Sequence, residues 1–211
     1  SFGQSRGVTD GTSSVATSAW KYRAALDGNA EEVGYTAGSF DGRLLLSASY
    51  TANWSKYAAT SFGLIYQRYR PFRYSYCYNG DANGDSQFSN DLMYIPANFD
   101  EVKDHLLPGD FDSQEDAWKA MNAFIEQDPY LSKHRGEYAE RNGAVAPFAN
   151  QLDLSVSHDI KIYQKNGRSH TLRFSFNIAN FLNLLNRNWG VVQTTVLGNQ
   201  QYQFLTIPKG Q

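Results

Sequence analysis

The sequence predicts an all-β fold, and within that class an antiparallel transmembrane β-barrel segment with long extracellular loops. Three observations carry this. Long segments alternate apolar and polar side chains almost without error. The face opposite the apolar one is Ser, Asn, Thr, Asp and Arg, where a soluble sandwich usually carries Lys and Glu. Short turns and long connections fall on opposite ends of the alternating segments, whereas a soluble sandwich usually has short turns at both ends.

The first alternating segment is Arg43 to Trp54. Leu44, Leu46, Ala48, Tyr50, Ala52 and Trp54 share one face, and Ser47, Ser49, Thr51 and Asn53 the other. The second starts near Tyr57, after a turn of little more than Ser55-Lys56. Thr60, Phe62, Leu64 and Tyr66 oppose Ser61, Gly63 and Gln67, and the pattern runs on to Tyr78 with a break or edge position expected at Pro71. The third is Leu152 to Ile162, where Leu152, Leu154, Val156, Ile160 and Ile162 oppose Asp153, Ser155, Ser157, Asp159 and Lys161. The fourth is Thr171 to Asn183, joined to the third by "QKNGRS", whose Asn166-Gly167 pair is a strong hairpin signal.

The other connections are long. Residues 7–42 read as irregular, residues 79–150 as one long loop of about 70 residues, and the chain beyond Asn183 as irregular again. A loop of that size has structure of its own, and "SQEDAWKAMNAFIEQDPY" predicts a helix near 113–127. Ser113 is its N-cap, Glu115 and Asp116 meet the positive end of the dipole, Trp118, Met121 and Ile125 form a stripe, and Asp128-Pro129 ends it. Packing of the helix onto its own loop accounts for the stripe; contact with a substrate or partner is the alternative. With no repeat and no linker evident, residues 1–211 read as a single partial domain.

Composition agrees. Fourteen Tyr, 13 Phe and 4 Trp among 211 residues suit a pleated surface, and apolar residues make up only 41%. The formal charge of -2 gives no basic field for nucleic acid. A single cysteine, Cys77, excludes an internal disulfide and a Cys-based metal cluster. There is no apolar run of about 18 residues for a membrane helix, and none is expected of a barrel, whose strands are half apolar. The opening "SFGQSRGVTD" lacks the features of a signal peptide and reads as the start of a mature or internal piece.

Segment length favours lipid over a soluble core, since a membrane strand needs about 9–11 residues and ordinary strands about 5–6. Tyr50 and Trp54 near one end of the apolar band, and Tyr66 and Tyr69 near the other, fit interfacial girdles. His158 falls on the apolar parity, which places it near the periplasmic edge. A lipocalin-like barrel would need an apolar interior, and the polar face here makes a poor one.

Four stretches resemble, in order, the C-terminal part of TonB-dependent outer-membrane receptors, nearest the subgroup that carries an N-terminal carboxypeptidase-regulatory-like domain. They are "DGTSSVATSAW" (Asp10 to Trp20), "CYNGDANGDSQFSNDLMYIP" (Cys77 to Pro96), "RNGAVAPFANQLDLSVSHDI" (Arg141 to Ile160) and "NIANFLNLLNRNWG" (Asn177 to Gly190). The resemblance implies a parent barrel of about 22 strands around a plug. It implies a place in the outer membrane of a Gram-negative bacterium and nutrient uptake (metal chelate, glycan or peptide) energised through TonB. The implied partners are the lipid bilayer, the plug and remaining strands, the TonB complex and a surface lipoprotein. No plug or TonB-contacting segment occurs here, and "QYQFLTIPKGQ" is not the aromatic-terminated final strand of the family; the chain is expected to be truncated at both ends. The readings from other classes are a non-transporting surface or adhesion protein and a soluble β-sandwich binding module.

The chemistry-bearing candidates are few. In "NGDANGDSQFSND", Asp81, Asn83 and Asp85 alternate and Asp91 follows, oxygen ligands at a spacing that can wrap Ca²⁺. It is no EF-hand, since Ser86 stands where that loop has glycine and Leu92 where it has glutamate. An Asn-Gly, Asp-rich turn explains the same residues without metal. No catalytic motif appears, so an enzyme is not expected. His105, His134, His158 and His170 are scattered, Cys77 has no histidine near it, and Glu31-Glu32 and Glu115-Asp116 read as solvated pairs. The sequon Asn53-Trp54-Ser55 falls at the periplasmic turn, where glycosylation is not expected. Arg173, Asp153, Asp159 and Lys161 share the polar face and are expected to pair across the third hairpin, facing a plug or lining a substrate path.

Overall fold

A computed structural model describes residues 1–9, 13–39, 41–163, 168–193 and 201–207. In chain order it contains β1 (Arg6–Gly7), α1 (Ala16–Lys21), β2 (Gly34–Tyr35), β3 (Arg43–Ser55), β4 (Ala58–Tyr69), β5 (Arg73–Asn79), β6 (Tyr94–Ile95), α2 (Gln114–Gln127), β7 (Glu137–Tyr138), β8 (Ala144–Val145), β9 (Ala149–Tyr163), β10 (Ser169–Ile178), α3 (Phe181–Leu185) and β11 (Gln201–Thr206). The fold is mostly strand, as expected, but no closed barrel forms among the described residues. The chain divides into two compact units.

The first unit holds residues 1–3, 41–71 and 147–193. Its centre is an open antiparallel sheet in the order β10-β9-β4-β3, with strands of 10, 15, 12 and 13 residues. Register merges the four alternations into one. Leu46, Tyr66 and Leu152 form one cross-strand row; Tyr50, Phe62, Val156 and Phe176 form another; Ala52, Thr60, His158 and Phe174 form a third. Because side chains alternate with period two, these rows share one face. The other face carries rows such as Thr51, Ser61, Ser157 and Ser175. Leu45 and Ile65 interrupt it in line with Gln67 and Asp153.

Two expectations are corrected here. The second strand stops at Tyr69 instead of running to Tyr78; Pro71, with no N–H to give a ladder, separates it from β5, which belongs to the other unit. The fourth strand stops at Ile178, because Asn180 takes a left-handed conformation (φ 55°) and Phe181–Leu185 turns helical. Asp153 holds that corner: its Oδ1 accepts the Asn180 N–H at 2.8 Å. The Asn166-Gly167 turn lies outside the described residues; the strands on either side of it pair antiparallel from Tyr163 and Ser169 onward.

The second unit draws on residues 4–40, 72–146 and the stretch containing β11. The segments 7–42 and 79–150 are therefore not two independent irregular stretches. β5 pairs in parallel with β11 and in antiparallel with β8, and β1 pairs with β2. Helix α2 begins one residue after Ser113, whose Oγ accepts the Asp116 N–H at 3.1 Å as the predicted N-cap. It buries Ala117, Met121 and Ile125 against a core of Tyr74, Tyr76, Met93, Ile95, Leu131, Ala139 and Ala144. Trp118 packs only at the margin, near Phe99.

Candidate functional site

The first functional surface is the apolar face of the sheet. None of the described residues covers it: Leu46 is 53% exposed, Tyr50 68%, Phe174 59% and Phe176 65%, and Leu44, Phe62, Leu64, Val156, Ile162 and Leu172 are exposed with them. These residues come from all four strands and stand side by side in register. His158, a polar residue on this face, is answered within it. Its Nδ1 lies 2.8 Å from Thr60 Oγ1, which accepts the Trp54 indole N–H at 2.7 Å. The three polar groups thus satisfy each other beside the short β3–β4 turn.

The opposite face is laced with polar contacts. Gln67 receives the Arg43 guanidinium (2.8 Å) and donates to Gln151 (2.9 Å), and Thr51 and Ser61 hydroxyls lie 2.9 Å apart. Of the four charged residues expected to pair, Arg173 and Asp159 do so directly. Asp153 instead serves the Asn180 corner and receives Gln151 Nε2, and Lys161 lies opposite Thr171.

The second candidate is the acidic loop. Asp81 Oδ1 accepts the N–H groups of Gly84 (2.7 Å) and Asp85 (3.1 Å), and its Oδ2 that of Ser86 (2.9 Å). Asn83 Oδ1 accepts from Asp85 N (2.9 Å) and Asp85 Oδ1 from Gln87 N (2.7 Å). Ser86 adopts φ 65°, so the sixth loop position takes the left-handed turn although it is not glycine. Asp91 closes the loop from behind. Its Oδ2 accepts the Ala82 N–H, its backbone is tied to Tyr78 and flanked by bonds to Ala25, and the residue is only 3% exposed. Burial, reinforced by the nearby Asp85 and Asp81 carboxylates, pushes the Asp91 carboxyl above the usual Asp range, against the lowering effect of the backbone N–H groups. The structure thus brings all four predicted residues to one loop. As they stand, no group of three or more His, Cys, Asp or Glu side chains forms a metal cage among the described residues.

Beside this loop, within the second unit, lies a cavity of about 1360 Å³. Asn83 and Asp91 stand in its wall with Leu26, Tyr78, Leu106 and Phe124. His105 lines it too, without an acid or nucleophile bonded to it. His134 stacks on Tyr130 and bonds to its carbonyl, and Cys77 is fully buried between Ala24 and Leu92. Glu32 accepts the Leu26 and Asp27 N–H groups, and Asp116 accepts the Ser113 hydroxyl, so both acidic pairs have local structural work.

Sequence periodicity missed three buried arginines. Arg23 is 2% exposed and Arg141 3%, and both donate to the Val8 carbonyl. Arg73 lies over the Tyr35 ring and donates to the Asn142 carbonyl, while Arg23 covers Trp20. Arg23 and Arg141 sit in irregular segments where no apolar period marks the interior, and Arg73 opens β5.

No family model, no curated protein and no solved structure matches this chain.

Proposed function

We propose that this chain is a wall segment and loop unit of a TonB-dependent outer-membrane receptor that takes up a nutrient of the metal-chelate, glycan or peptide class. The carrying observation is the uncovered, in-register apolar face of β10-β9-β4-β3. Soluble monomers rarely expose contiguous apolar patches beyond a few hundred Å². In lipid the same face is at home, and every strand reaches the length of about 9–11 residues that a tilted crossing requires. The Ser, Thr, Asn and Gln rows then face a watery interior. Among the described residues no further strand of this sheet lies beyond β3 or β10, and further strands of the same wall would pair those edges.

The test is nitroxide scanning in the intact receptor in outer-membrane vesicles. Labels at Phe62, Phe174 and Phe176 are expected to relax with oxygen dissolved in lipid, and labels at Ser61, Ser157 and Ser175 with an aqueous nickel chelate. Apolar positions shielded from both reagents overturn the wall. The transport half is read separately: removing the receptor or removing TonB from the cells should abolish growth on the same nutrient. Growth indifferent to TonB overturns that half.

A further inference from the structure

Residues 79–92 carry three carboxylates and no Lys or Arg. None of Asp81, Asp85 and Asp91 makes an ion pair among the described residues; their hydrogen bonds come from backbone N–H groups and, at Asp85, the neighbouring space is closed by Gly28, where a Cβ would come within 2.9 Å of Oδ2. The Asn83 amide is oriented by donating to the Leu26 carbonyl, which turns its oxygen toward the loop. An Asp-rich turn would account for all of this. It does not account for Asp91.

Asp91 is 3% exposed, yet its Oδ1 is buried with no hydrogen-bond partner. Its other oxygen is held by Ala82 N, so the carboxylate is fixed facing the 81–87 turn and not swung away to solvent. Leaving a buried carboxylate oxygen without a donor is costly, and here it sits near two further negative charges. Such an arrangement is stable when a cation completes it. We propose that the 81–91 loop is a Ca²⁺ site, with carboxylate oxygens of Asp81, Asp85 and Asp91 and the amide oxygen of Asn83 as its protein ligands. Each carboxylate oxygen that accepts one N–H keeps a second acceptor position for the ion. The three acids do not yet converge, so binding draws the loop inward around Ca²⁺, and water from the adjacent cavity fills the remaining positions. The irregular spacing of the loop's oxygens favours Ca²⁺ over Mg²⁺, which demands a near-ideal octahedron. This inference does not depend on the membrane reading, because all its residues lie in the second unit.

The experiment is calcium titration of the full chain, freed of metal with chelator, followed by calorimetry and thermal unfolding. One Ca²⁺ is expected to bind per chain. At about 100 times its dissociation constant it is expected to raise Tm by about 5 °C or more. Mg²⁺ at equal concentration should not reproduce the shift. Asp85→Asn and Asp91→Asn should each weaken binding by about tenfold or more, in line with 1.4 kcal/mol per decade. Amide exchange in residues 81–91 should slow on adding Ca²⁺, a readout that does not need the variants to fold. No heat and no Tm shift for the wild-type chain up to about 5 mM Ca²⁺, beyond the range of weak extracellular sites, overturns the site. So does binding that both Asn variants retain in full.

Discussion

Arg173 and Asp159 face each other across β9 and β10 and form two parallel bonds, Nε to Oδ1 at 2.6 Å and Nη2 to Oδ2 at 2.7 Å. The planar fork matches the carboxylate, and Lys cannot reproduce it. If this face meets water, the coupling between the two residues is small and shrinks as salt is added. A double-mutant cycle with Arg173→Ala and Asp159→Ala in the intact protein, run at low and high ionic strength, measures it. A coupling indifferent to salt would place the pair in a dry environment.

Phe62 and Ser61 are neighbours on opposite faces of β4. Phe62→Arg is expected to cost about 2–4 kcal/mol in a bilayer if the residue lies near mid-depth. Ser61→Arg on the polar face should stay within about 0.5 kcal/mol. Urea unfolding of the intact protein in lipid separates the two; equal costs would contradict the assignment of faces.

The Tyr76 hydroxyl donates to Asp128 Oδ2 at 2.7 Å from a position 2% exposed. Tyr76→Phe should lower the stability of the second unit by about 1–3 kcal/mol, the range for a hydrogen bond to a charged acceptor. Burial, with the Tyr74 and Asp128 bonds, pushes the Tyr76 hydroxyl well above its ordinary value, and Tyr130 is pushed up to about 12 by burial. A raised folded-state pKa keeps its full stabilising effect below the unfolded value and loses it as pH climbs beyond. Stability should therefore hold up to pH of about 10 and fall steeply above it. Tyr76→Phe should make that fall shallower, as followed by chemical denaturation across pH.

Ser113 caps α2 through the Asp116 N–H. Ser113→Ala should cost about 1 kcal/mol, and Ser113→Asp should restore most of it. Thermal unfolding monitored by helical circular dichroism gives the comparison.

The strands of the sheet could be read from sequence because apolar and polar residues alternate along most of their length, Leu45 and Ile65 apart. The helix could be read because cap, stripe and stop agree locally. Register could not, since Tyr50, Phe62, Val156 and Phe176 come together only through pairing. The parallel match of β5 with β11 joins Ser75 to Gln201, a partnership no local pattern announces. In the acidic loop, spacing pointed to Asp81, Asn83 and Asp85; that Asp91 would be sealed in with an unanswered oxygen depends on Ala25 and Tyr78 packing around it.

The carbonyl of Val8 is shared by two guanidiniums, from Arg23 at 2.9 Å and Arg141 at 2.7 Å. The first clasp spans 15 residues of chain and the second 133, so the second ties a distant segment to Val8. Loss of either guanidinium would leave the other to hold the Val8 carbonyl alone, so the stretch around Val8 is tethered twice over, once from nearby and once from afar.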